Sequence, residues 1–195
     1  DLSDNHLSGS IPVTLSGLTR MASLIFTINQ LTGPIPAGIG FLTRMKSLSL
    51  AYNQLSGPIP TSIGSLATLT YLGLHSNNLS GTIPPSIASL CLFNALDLSS
   101  NQLSGPIPEE IGAILALTTL DLSDNQLSGS IPATLSGLTR MASLSLAYNQ
   151  LSGPIPTSIG SLATLTYLDL HSNSLSGSIP PSIASLSLLN ALWVP

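Results

Sequence analysis

The chain has 195 residues, of which only 6% are charged; eight acidic and four basic side chains give a net charge of −4. That balance excludes a nucleic-acid footprint, which needs Lys and Arg clustered on one face. A mean hydropathy of +0.46 would suit a membrane protein. However, no apolar run approaches the roughly 20 residues that span a bilayer, so this segment is read as making no membrane contact.

In chain order, the first motif runs Leu2-Ser3-Asp4-Asn5-His6-Leu7-Ser8-Gly9-Ser10-Ile11-Pro12. Its frame, L-x-x-N-x-L-[ST]-G-x-I-P, returns without a slip at Asn29, Asn53, Asn77, Asn101, Asn125, Asn149 and Asn173, always 24 residues on. A fixed period of this length is the signature of a solenoid of stacked repeats. Eight repeats follow, at 1–24, 25–48, 49–72, 73–96, 97–120, 121–144, 145–168 and 169–192, with the start of a further one at 193–195. Asp1 falls inside a repeat and Pro195 stops just after another has begun, so the chain is read as an excerpt of a longer one. Missing targeting signals then carry no weight.

Within each repeat the elements are predicted in the same order. The L-x-L segment alternates in and out as a short strand and pairs in parallel with its neighbours. The Ser-Gly pair makes a tight turn, and Pro fixes an extended φ that cannot continue a helix. The P-x-x-[IL]-x-x-L stretch that follows has the spacing of a short helix or 3₁₀ segment. Met21, Met45 and Met141 all occupy one apolar column, so they are core residues. The Asn column is predicted to point inward and to form a ladder, because a buried amide is costly unless its donors and acceptor are used.

These residues resemble the plant-type leucine-rich repeat, as in receptor-like kinase and receptor-like protein ectodomains and polygalacturonase-inhibiting proteins. The resemblance covers residues 1–195 as a single segment without visible caps. It implies an α/β solenoid, a right-handed superhelix with a parallel sheet on its concave face and a second short sheet from L-[ST]-G-x-I-P. It also implies an extracellular or cell-surface setting, no enzyme activity, no cofactor, and protein, peptide or polysaccharide as partner. Two alternatives come from other classes. Uncapped, weakly charged, near-identical repeats suit a structural protein that self-associates end to end. A flat Ser/Thr-rich surface with few charges suits ice binding, although no single column is expected to be uniformly Thr or Ser.

Residues 49–72 and 145–168 are identical, and 73–96 differs from 169–192 at five positions. A surface presented twice follows. Tyr52, Tyr71 and His75 are expected to form one ligand-binding group, and Tyr148, Tyr167 and His171 an equal second one, about 19 Å away. Tyr suits stacking on a sugar or gripping a peptide. Ile25 and Ile28 fall at outward positions near Tyr52 and extend the first group as an apolar patch. Asp169, His171 and Ser145 share a face, but an open sheet has no oxyanion hole, and the earlier copy has Gly73 in place of Asp169. Asp97 and Asp121 stack with Asp124 nearby and are read as solvated, with no metal. Cys91 is matched by Ser187 and reads as an incidental thiol. Asn78-Leu79-Ser80 is the one N-x-[ST] sequon and a glycosylation candidate.

Overall fold

The computed structural model describes residues 1–194; Pro195 of the expected further repeat lies outside them. Each repeat carries two strands and one 3₁₀ segment. The L-x-L segments, from Ser23–Ile25 to Ala191–Trp193, pair in parallel as one eight-stranded sheet; the L-[ST]-G segments, from Ser8–Ser10 to Ser174–Ser176, form a second. The first sheet lines the concave face of the solenoid. Register never slips, so Leu24, Leu48, Leu72, Leu96, Leu120, Leu144, Leu168 and Leu192 form one continuous row.

Local chemistry explains the elements. A proline precedes each 3₁₀ segment; Pro60, at φ −67°, enters Thr61–Ser65. Its fixed φ sets the extended entry and removes an N–H that would otherwise need a partner. Gly57 adopts φ +76°, and its equivalents in all eight repeats are likewise positive. This is a left-handed turn that only Gly enters without strain. At the 3₁₀ segments the turns come very close: a Cβ added to Gly64 would sit 2.3 Å from the carbonyl oxygen of Ser86.

The interior is one apolar column per inward position. Leu48, Leu72, Leu96, Phe93, Met45 and Met141 are fully buried, and Met21 packs against the same core from the first turn. In a stack, each turn is covered only by its two neighbours. Leu2 and Leu18 in the first turn therefore stay 49% exposed, whereas Leu50 and Leu66 are completely buried.

The Asn side chains close the stack. Asn101 Nδ2 donates to the carbonyls of Leu98, Ser99 and, one turn back, Leu74, at 3.1–3.2 Å. Its Oδ1 accepts from the Leu79 N–H at 3.0 Å. Asn53, Asn77, Asn125, Asn149 and Asn173 repeat the pattern, and Asn29 does so against the first turn. Among the described residues the Asn5 side chain donates only to the carbonyls of Leu2 and Ser3, within its own turn.

Asn101→Ala is expected to cost about 3 kcal/mol or more, because it orphans several buried backbone groups at once. Asn5→Ala, exposed at one end, should cost well under half of that. Chemical denaturation of the two variants checks the ranking, and equal losses would refute the ladder as the closing element.

Candidate functional site

The outward side chains of the concave strands and of the turn after them make an open polar face. Tyr52, Ile28 and Tyr148 stand in that turn with φ of 53°, 56° and 52°. Such values are uncommon for any side chain and strained for a β-branched one such as Ile28. Stacking enforces them: the Tyr52 N–H donates to the His75 carbonyl at 3.1 Å and the Ile28 N–H to Ala51 at 3.0 Å. The tyrosines are thereby pushed outward, Tyr52 at 54% and Tyr148 at 58% exposure.

Tyr52 meets His75 edge to face, with ring centroids 5.0 Å apart. Tyr148 meets His171 in the same way at 4.6 Å. Tyr71 does not join its ring pair. It lies over Gly73, where an added Cβ would come 2.5 Å from its hydroxyl. Burial and the nearby Asp97 carboxylate raise the Tyr71 pKa, partly offset by the Ser49 hydroxyl. Ile28 is exposed beside Tyr52, but Ile25 is half-buried in register with Ser49. The apolar patch beside Tyr52 is therefore carried by Ile28, with Ile25 turned partly into the sheet.

The two aromatic groups are not equal, which corrects the duplicated-surface expectation. In the first, His75 Nδ1 lies 2.9 Å from Asp97 Oδ2 of the next repeat, close enough to pair but not aligned as a hydrogen bond. In the second, position 73 has become Asp169 and position 97 has become Trp193. His171 Nδ1 now sits 2.5 Å from Asp169 in its own strand, and Tyr167 donates its hydroxyl to the same carboxylate at 2.9 Å. Trp193 stands 58% exposed, 6.5 Å from the His171 ring. The acid has moved one strand across, so one group is open toward Asp97 and the other is closed on itself. Trp193 was missed in the sequence because it belongs to the incomplete ninth repeat; adding 96 to Asp97 would have found it.

The remaining candidates separate cleanly. Ser145 is in register with Asp169, but among the described residues its hydroxyl makes no hydrogen bond to His171. Asp97 and Asp121 do stack, and each accepts from the backbone and hydroxyl of a serine two residues on, Ser99 and Ser123. No group of three or more potential metal ligands occurs among the described residues. Asn78 is exposed at the start of a second-sheet strand, where Gln102 donates to its Oδ1. Cys91 is exposed and free.

The second sheet corrects the expectation that no column is uniformly Ser or Thr: Ser8, Thr32, Ser56, Ser80, Ser104, Ser128, Ser152 and Ser176 stand at equivalent positions. Beside it runs an exposed, mostly Gln column from Gln30 to Gln150.

The Asp97 contact raises the His75 pKa against the effect of burial. Burial alone would raise Asp97, but the His75 contact and the Ser99 hydrogen bonds outweigh it and hold the carboxyl below its ordinary value. The raised His75 value means its stabilisation is full below pH 6.5 and is lost as pH rises through the folded pKa. The lowered Asp97 value means its part is full above pH 3.8 and is lost as pH falls through the folded pKa. His75→Gln is therefore expected to lower the melting temperature more near pH 5 than near pH 9. The difference should be below about 1 kcal/mol, because both groups are partly exposed. Thermal scans at the two pH values check it; an equal drop at both would rule out the ion pair.

A family model described as Leucine Rich Repeat matches residues 1–18, 44–66, 68–90, 94–114, 116–138, 140–162 and 164–186. The ectodomain of the plant membrane receptor kinase GASSHO1/SCHENGEN3 from Arabidopsis thaliana, solved with CASPARIAN STRIP INTEGRITY FACTOR 2, superposes on 98% of the chain with a TM-score of 0.96 and 42% identity. The Arabidopsis receptor kinase HAESA, solved with the peptide hormone IDA and the co-receptor SERK1, does so over 97% with a TM-score of 0.94 and 41% identity. The chain spans 24% and 32% of those two structures. A plant ice-binding protein matches over 97% of this chain and 68% of its own, with a TM-score of 0.75 and 33% identity. No curated protein matches the chain.

Proposed function

The chain belongs to the leucine-rich repeat family, and on that premise we propose that its concave sheet is an extracellular, non-catalytic recognition surface for a protein or peptide. The observation that carries this reading is the pair of Tyr–His edge contacts standing out from an otherwise open polar sheet. Exposed Tyr offers a rigid apolar ring with a polar tip, and such residues dominate binding energy at interfaces. Tyr52, His75, Tyr148 and His171 are the contact residues, with Ile28 extending the first group. Tyr71, Tyr167 and Ile25 back them from within the sheet. Two structural relatives support a peptide in particular, since HAESA was solved with a peptide hormone and another with AtPEP1. They favour protein or peptide over a polysaccharide or a second copy of this chain. An open sheet with no enclosed nucleophile favours binding over turnover.

A second reading, ice binding, is favoured by the uniform Ser/Thr column on the uncharged second sheet and by the ice-binding relative. It uses the other face, so the two readings are separable.

Selection of random peptides on the immobilised chain should enrich binders, and Tyr52→Ala and Tyr148→Ala should each weaken them by about tenfold or more. Failure to enrich any binder, or full binding by both variants, would overturn the concave-face reading. For the second reading, the chain should inhibit ice recrystallisation, and Ser104→Tyr with Ser128→Tyr should abolish that inhibition while leaving peptide binding intact. Frozen samples that coarsen at the rate of a control protein would dismiss it.

A further inference from the structure

The charges are distributed with a bias that the repeat itself does not require. Asp1, Asp4, Asp97, Asp121, Asp124 and Asp169 all lie on the concave strands or in the turn that follows, which holds six of the eight acidic residues. None of the four basic residues is there: Arg20, Arg44, Lys46 and Arg140 precede the strands, three of them in turns. The acids are also ordered along the stack. Asp97, Asp121 and Asp124 belong to the fifth and sixth repeats, between the Tyr52–His75 pair of the third and fourth and the Tyr148–His171 pair of the seventh and eighth. The field of Asp121 is felt at both ends, by His75 and by Tyr167. Its Oδ1 is taken by Ser123, Oδ2 makes no hydrogen bond among the described residues, and the exposed Asp124 carboxylate likewise has no hydrogen-bond partner among them.

From this arrangement, and resting on the recognition reading above, we propose that the concave face takes an extended peptide with an apolar or aromatic side chain toward each end and one Arg or Lys between them, nearer the Tyr148 end. The peptide runs along the stack, across the strands. Its basic side chain meets the carboxylates of Asp121 and Asp124, and its apolar side chains lie against Tyr52 and Tyr148. The spacing follows from the geometry. Four repeats at about 4.8 Å separate the aromatic pairs by roughly 19 Å, which an extended chain at about 3.4 Å per residue covers in about six residues. Asp121 and Asp124 lie three repeats (about 14 Å) from Tyr52 and one (about 5 Å) from Tyr148, so the motif is apolar, three spacers, basic, one spacer, apolar. Arginine fits better than lysine, because its planar fork can engage a carboxylate with two parallel hydrogen bonds. Charge complementarity of this kind also quickens encounter and makes it sensitive to salt.

The test uses three synthetic peptides with Phe at both motif ends and Arg, citrulline or Glu at the basic position, titrated by fluorescence anisotropy against the chain. The Arg peptide is expected to bind about tenfold tighter than its citrulline isostere and the Glu peptide weakest of all. Asp121→Asn with Asp124→Asn should erase the preference for Arg over citrulline. Equal affinities for the three peptides overturn the charge assignment and leave peptide recognition standing. Absence of binding by all three overturns the motif, and the random-peptide selection then decides whether recognition by this face falls with it.

Discussion

Each turn of this molecule is closed by an asparagine amide that satisfies backbone groups of two turns at once. The Asn101 side chain spends both of its N–H groups and its carbonyl on backbone between Leu74 and Leu98. A buried backbone group without a partner is costly. One side chain of one length must therefore recur at one position, and any insertion within a repeat would break contact with the neighbouring amide. The constant period of 24 follows from that requirement, as do the unbroken leucine rows and the close approach of Gly64 to Ser86.

A scaffold so constrained leaves only its outward columns free to vary. Stacking holds the residue just before each Asn in a left-handed conformation whatever its type, Tyr52 and Ile28 included. Side chains there are presented outward with little freedom to retreat, which lowers the entropy they lose on binding. Neighbouring members of one outward column are one strand apart, so two substitutions re-pair charges. Gly73 became Asp169 and Asp97 became Trp193 between the two copies, and the histidine exchanged a partner in the next repeat for one in its own strand. Identical Tyr-bearing repeats are thus set in different electrostatic surroundings. A surface copied once can diverge into two distinct contacts without a change in the fold.

The two sheets also divide the chemistry. The concave sheet and the turn after it carry the aromatic pairs and most of the carboxylates; the second sheet carries a neutral Ser/Thr column beside a Gln column. Similar solved structures include a receptor kinase ectodomain with a peptide hormone and a plant ice-binding protein. A stack of flat repeats can hold two independent surfaces because each side is built from its own columns and shares only the core.

The repeat length, the inward columns, the strand and 3₁₀ segments and the placement of Tyr52 near His75 were legible in the sequence. They depend on period and on inward or outward alternation, which the order of residues states directly. Other features are contacts between side chains on different turns. The burial of Ile25, the turning of Tyr71 over Gly73 and the choice of Asp97 as partner for His75 are of this kind. So is the exposure of Trp193 beside His171. Column membership says which residues are neighbours, but rotamer, tilt and competition among acceptors decide which of them touch. Those choices are settled only when the turns are stacked, because each depends on the space that the adjacent repeat leaves open.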